Sequence, residues 1–291
     1  MFSKIAILGP GLLGASLMQA ARARGLAGHL AAWSRSAGTR SRCVAQSWCD
    51  SVHETPEDCV RGAALVVVCV PADRIADTLA LAAPGLGVGA LVTDVGSTKG
   101  HVCEAVQGVL PEGVAFVGAH PMAGSEKSGL EHARADLFEG RVCFVTPQEK
   151  PPVPVEAIEA VAHFWAALGT RVVMFSPGVH DRVVAHTSHL PHLAAAALSV
   201  LLQRKPLEWR RLGGPGLRDT TRVAAGDPLM WRAIVQENRR QVLRALEDYQ
   251  AELEHLRVAI AAEDFDTVQA FLVTGKNWRE HLDAELSLPV T

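Results

Sequence analysis

Tyrosine is almost missing from this chain of 291 residues: there is one, and aromatic residues make up only 5%. The arginines are scattered rather than interleaved with aromatics, which excludes a stacking platform or a basic stripe for nucleic acid. No long block of one charge sign occurs and the formal net charge is -3, so a nucleic-acid or membrane tail is not expected. The longest apolar stretch, Leu193 to Leu202, is about half a membrane span. From Met1 the chain runs within a few residues into the strand-like "KIAIL", with no charged-then-apolar leader. Cys43, Cys49, Cys59, Cys69, Cys103 and Cys143 make no C-x-x-C pair and no disulfide spacing; they read as reduced thiols in a cytoplasmic protein.

What is present is a soluble globular composition, 48% hydrophobic and 20% charged, long enough for two domains. The first half alternates short apolar runs with helical patterns, as α/β chains with a mostly parallel, doubly wound sheet do. Strands are expected over Lys4–Leu8, His29–Trp33, Ala64–Val70, Ala90–Asp94, Val114–Gly118, Arg141–Thr146 and Arg171–Phe175. After Ser176 the pattern is helical throughout. We therefore expect a Rossmann-like dinucleotide-binding domain over 1–176 and an all-helical substrate-binding and dimerisation domain over 177–291. In the helical part a helix is expected over Pro177 to about Arg204, then a glycine-rich loop "RLGGPGLRDTTR", then a long helix from Asp227-Pro228. Val242, Leu246, Tyr249, Leu253, Leu256 and Ile260 make a narrow seam on that last helix, suited to packing within a subunit or to a homodimer interface.

"ILGPGLLGASLMQAARARG" places Gly9-x-Gly11-x-x-Gly14 directly after the first strand and at the mouth of an amphipathic helix. Gly9 permits a tight turn, Gly11 lets a pyrophosphate approach, and Gly14 lets helix pack on strand, while the helix start, with Leu12 and Leu13, offers free N–H groups. After the second strand, "AAWSRSAGTRSR" lacks the carboxylate that grips the ribose in NAD enzymes. Ser34 and Arg35 suit the extra phosphate of NADP, with NAD the alternative coenzyme and a solvated surface arginine the alternative reading of Arg35.

Ligands of doubly wound sheets sit beyond the carboxyl ends of the strands. Three loops that follow strands are expected there: "VCVPAD" with Val70 and Pro71, "TDVGSTKG" with Asp94, Gly96 and Ser97, and "GAHPMAGSEKSG" with His120. Ser97 and His120 form a polar pair beside the expected nicotinamide, where a neutral imidazole can accept a proton and a hydroxyl can orient it. A purely structural histidine is the competing reading.

Taken in order, "GPGLLG", "DVGSTKG", "GAHPMAGSEKSG", "HDRVVAHTSHLPH", "GPGLRDTTRVAAGDP" and "MWR" resemble the prephenate, arogenate and cyclohexadienyl dehydrogenases of tyrosine biosynthesis, across nearly the whole chain. The resemblance implies oxidative decarboxylation of prephenate to 4-hydroxyphenylpyruvate. His120 would take the ring-hydroxyl proton and Ser97 would align it. The resemblance also implies that Arg222, with Arg218 assisting, pairs a substrate carboxylate. His189 and His192 would line the pocket, Trp231 would wall it, and Glu126 would guard its entrance, with Ser125 where some relatives have threonine. The spacing of His186, His189 and His192 suggests a metal site on one helix face, but no cysteine or carboxylate completes a ligand set, so no metal is expected. Nor is a regulatory or mutase domain expected. Arogenate as substrate, a different reductase on a similar scaffold, and a non-catalytic NADP sensor are the alternatives.

Overall fold

Ile5 and Ile7 point to one side of the first strand, Ala6 and Leu8 to the other, and all four are fully buried. Burial on both faces is what a parallel strand covered by helices requires. In the computed structural model the first part of the chain runs β1 (Phe2–Leu8), α1 (Leu12–Ala23), β2 (Ala27–Trp33), α2 (Ala37–Val44), β3 (Ser51–His53), α3 (Pro56–Val60), β4 (Leu65–Val68), α4 (Ile75–Ala82), β5 (Leu91–Asp94), α5 (Gly100–Gln107), β6 (Ala115–Phe116), β7 (Gly118–Pro121), β8 (Val142–Thr146), α6 (Val155–Ala167) and β9 (Arg171–Met174). Helices follow: α7 (Pro177–Val184), α8 (Leu190–Gln203), α9 (Pro215–Thr221), α10 (Pro228–Glu237), α11 (Arg239–Ala261) and α12 (Phe265–Glu285). The structure describes residues 1–124, 129–150 and 152–285. Ser125 and Glu126, and the roles expected of them, lie outside the described residues.

Six strands form a parallel sheet in the order β3-β2-β1-β4-β5-β6. This is the α/β, doubly wound architecture expected. The order reverses beside β1, which lies between β2 and β4, and this is where such sheets open a ligand crevice. A second sheet of three strands sets β7 antiparallel to β8 and β8 parallel to β9.

Several expectations are corrected. The apolar run Val114–Gly118 is not one strand: β6 stays in the large sheet, and the chain crosses at Val117–Gly118 into the small one. His120 therefore lies within β7, paired with Phe144, rather than in a loop. The polar edge strand β3 was not expected. Part of the glycine-rich segment is the helix α9, started by Pro215 at its first turn, where a missing N–H costs nothing. The long helix from Asp227 is two helices, α10 and α11, separated at Asn238. Asp227 does cap the first of them, accepting from the Leu229 amide at 2.9 Å.

By contact the chain divides into two compact units, 1–239 and 240–291. The strands end at Met174, close to the expected boundary at Ser176, but α7 to α10 cluster with the sheets. The second unit is a hairpin of α11 and α12, turned at Glu263 in a left-handed conformation and capped by Asp264 on the Thr267 amide (3.0 Å). Among the described residues no helix is long and apolar enough to cross a membrane.

Candidate active site

The sheet register decides what stands at its carboxyl edge. Leu8 pairs with both Trp33 and Val68, and Val68 pairs with Asp94. The residues that follow these strand ends, Gly9, Ser34, Cys69 and Val70, and Val95 and Gly96, therefore meet along one edge. Gly9 has φ +100°, and a Cβ there would lie 2.7 Å from the Cys69 carbonyl oxygen; a Cβ on Gly14 would lie 2.4 Å from the Gly9 oxygen. At Gly11 a Cβ would meet nothing within 4 Å, so the space over the start of α1 is open. The first intrahelical bond there runs from the Ala15 amide to the Gly11 carbonyl. The amides of Leu12, Leu13 and Gly14 are thus without intrahelical partners, and the helix dipole adds positive potential. This cradle fits a dinucleotide.

On the next loop Ser34 is half-buried and Arg35 exposed. Arg40 folds back to donate to the carbonyls of Ser34 (2.8 Å) and Arg35 (3.2 Å), which shapes the loop without using the Arg35 guanidinium. Asp94 takes a structural part. Its carboxylate accepts from Lys99 Nζ, from the Gly96 amide (2.8 Å) and from the Ala119 amide (3.0 Å). Any contact of Asp94 with a coenzyme has to come from its backbone.

Beside this edge lies a cavity of about 270 Å³ lined by Ser97, His120, Met122, Ser188, His189 and Trp231, among others. The structure thus brings Ser97, His120, His189 and Trp231 to one cavity. His192 stands behind them: its ring stacks on Trp231 at 3.5 Å and 11°. Gly226 makes room for that stack, since a Cβ there would lie 2.6 Å from the indole nitrogen. The turn Ala185–His189 is a π-turn that ends two residues before Pro191, whose missing N–H cannot continue the α-helical ladder. It buries His189 while leaving His186 exposed. Arg218 and Arg222 are exposed, on α9 and on the tight turn after it, and neither lines the cavity. Among the described residues no cluster of three metal-ligating side chains occurs.

Burial, reinforced by His180, Lys99 and His189 nearby, pushes the His120 imidazole well below its ordinary range. It is therefore neutral at pH 7, as a base must be. His189 is pushed to about 4, again chiefly by burial. Among the described residues its buried Nε2 has no hydrogen-bond partner. Sequence reasoning assigned no role to His180 or Asp181. His180 Nε2 lies 2.9 Å from His120 Nδ1, and His180 Nδ1 lies 2.9 Å from Asp181 Oδ1. The "HD" in the middle of α7 was visible, but nothing local shows that it meets a histidine 60 residues away.

The chain matches the models of the prephenate dehydrogenase nucleotide-binding domain over residues 17–174 and of the prephenate dehydrogenase dimerization domain over 176–274. It is 35% identical to the cyclohexadienyl dehydrogenase of Zymomonas mobilis over 272 residues, which cover 91% of each chain. Its structure resembles prephenate dehydrogenase of A. aeolicus in complex with hydroxyphenyl propionate and NAD+, with TM-score 0.90, 30% identity and coverage of 97% and 99% of the two chains. It also resembles Synechocystis arogenate dehydrogenase, with TM-score 0.82, 29% identity and coverage of 95% and 99%. With both of its parts matched, and with an oxidoreductase cradle beside a cavity that holds a neutral histidine, the chain belongs to the prephenate dehydrogenase family.

Proposed function

We propose that this chain oxidatively decarboxylates prephenate to 4-hydroxyphenylpyruvate, with NADP preferred over NAD. The observation that carries the reading is the neutral, buried His120 in a ring-sized cavity beside the dinucleotide cradle. Bound coenzyme supplies the hydride acceptor; the chain's own residues do the rest. His120 Nε2 receives the proton of the ring hydroxyl, and the Ser97 hydroxyl in the same cavity holds that oxygen in line. Met122, Met230 and Ile234 exclude water, while the Trp231 indole, braced by His192, forms a flat wall for a six-membered ring. His189 Nε2, which has no hydrogen-bond partner among the described residues, supplies a hydrogen bond to a polar substituent. Support for NADP comes from the loop after β2, which offers the free guanidinium of Arg35 and the hydroxyl of Ser34 where NAD enzymes place a carboxylate.

Steady-state kinetics with prephenate and arogenate, each with NADP+ and NAD+, tests the assignment. The highest kcat/KM is expected for prephenate with NADP+. A preference for arogenate overturns the substrate and a preference for NAD+ overturns the coenzyme.

We further propose a homodimer through the helical part. On α11 the seam residues Tyr249, Leu253 and Ile260 remain 39%, 47% and 52% exposed in the single chain, an apolar face of the kind that marks an interaction surface. Light scattering is expected to give twice the chain mass of 31.0 kDa; a monomer at micromolar concentration would exclude it.

A further inference from the structure

Two histidines face one cavity, and their buried partners settle which ring nitrogen of each carries hydrogen. The Asp181 carboxylate accepts from the Lys99 amide (2.8 Å) on Oδ1 and from the Gly100 amide (2.8 Å) on Oδ2. Amides only donate, so both oxygens act as acceptors. Burial alone would raise this carboxyl, but the hydrogen bonds from His180 and from the two amides hold it below its ordinary value. It is a carboxylate, and the His180 Nδ1 facing it at 2.9 Å must carry a hydrogen. His180 is itself held below the ordinary imidazole range, chiefly by burial. Being neutral, it leaves its Nε2 bare. That bare nitrogen accepts from His120 Nδ1 at 2.9 Å, so the His120 hydrogen is on Nδ1 and its Nε2 lone pair is free for the cavity.

The opposite holds at His189. Asn238 Nδ2 donates to the Asp181 backbone carbonyl at 2.8 Å, which fixes the amide orientation. The same nitrogen lies 3.3 Å from His189 Nδ1, which must accept. The hydrogen of neutral His189 is therefore on Nε2, the buried atom that has no hydrogen-bond partner among the described residues.

We propose that His180, Asp181 and Asn238 are positioning residues that give the two cavity histidines opposite tautomers, so that His120 presents a proton acceptor and His189 a hydrogen-bond donor. The substrate class follows: a hydroxyl to be deprotonated at one end and an acceptor such as a carbonyl or carboxylate at the other. In the proton step the substrate O–H bond breaks and a His120 Nε2–H bond forms. The imidazolium keeps its Nδ1–H, and its bond to His180 becomes charge-assisted, backed by the Asp181 carboxylate.

The proposal deepens the reaction proposed above, and its test separates the two. Histidine 15N–1H spectra of the wild-type chain are expected to show Nδ1–H for His120 and Nε2–H for His189. Nε2–H on His120 overturns the proposal, whether or not any variant folds. His180→Leu is expected to lose the single His120 tautomer and to lower kcat roughly 10²-fold, the low end of what general-base catalysis yields. Its coenzyme Kd should not change. A folded His180→Leu chain with wild-type kcat and an unchanged His120 spectrum also overturns the proposal. Wild-type chain that shows the expected spectra but no turnover of prephenate counts against the reaction alone.

Discussion

His120→Asn is expected to lower kcat roughly 10²–10⁴-fold, the usual yield of a positioned base, with coenzyme binding intact. Asparagine is close in size and can still meet His180, but its amide takes no proton at neutral pH. Nothing at the coenzyme cradle changes, because Gly9, Gly11 and Gly14 stand on a different strand end. The measurement is kcat from initial rates beside a coenzyme titration read by intrinsic tryptophan fluorescence. Undiminished turnover would remove His120 from the proton step, and a parallel loss of coenzyme affinity would show that the substitution disturbs more than the base.

Lys99→Met is expected to destabilise the fold by about 3–5 kcal/mol, the range for breaking a buried ion pair. Lys99 and Asp94 are both 0% exposed, and Lys99 Nζ also donates to the Ala119 carbonyl at 2.8 Å. Methionine matches the stem of the side chain but leaves a carboxylate in a dry interior with only the amides of Gly96 and Ala119 to face it. Asp94→Asn placed on top of Lys99→Met removes the stranded charge and should recover part of the loss. Urea unfolding of the three chains gives the comparison. A single substitution costing under about 1 kcal/mol, the level of an ordinary hydrogen bond, would mean that the pair does not hold this region together.

What could be read from the sequence was local. The strand, glycine triplet and helix at residues 2–23 are contiguous and obey steric rules that need no tertiary knowledge. The crossing at Gly118 was not readable, because Val114–Gly118 is apolar without a break, and only the strand pairing, β6 with β5 and β7 with β8, shows that the chain changes sheets there. The stretch around Pro215 carries enough glycine to suggest a loop, yet the proline sits where a helix start tolerates it. The separation of α10 from α11 was hidden for another reason. Apolar spacing continues on the far side, and the break reflects an asparagine turned inward to Asp181 and His189. At the site, Ser97 and His120 came from their place after the strand ends and His189 and Trp231 from family resemblance, and the four share a cavity. Their buried supports did not, since each joins residues dozens of positions apart. Arg222 shows the converse limit: a motif match carries no information on which way a side chain faces.

The backbone of one residue, Ala119, ties the two sheets. Ala119 donates its amide to Asp94 and receives Lys99 on its carbonyl, and Asp94 is the last residue of the strand that borders the coenzyme edge. Such a joint leaves no slack between the imidazole and the coenzyme's resting place; the two travel together when the molecule breathes. Room to admit a ring and to let it go must then be made on the opposite bank, where Met230 and Trp231 ride on their own short helix.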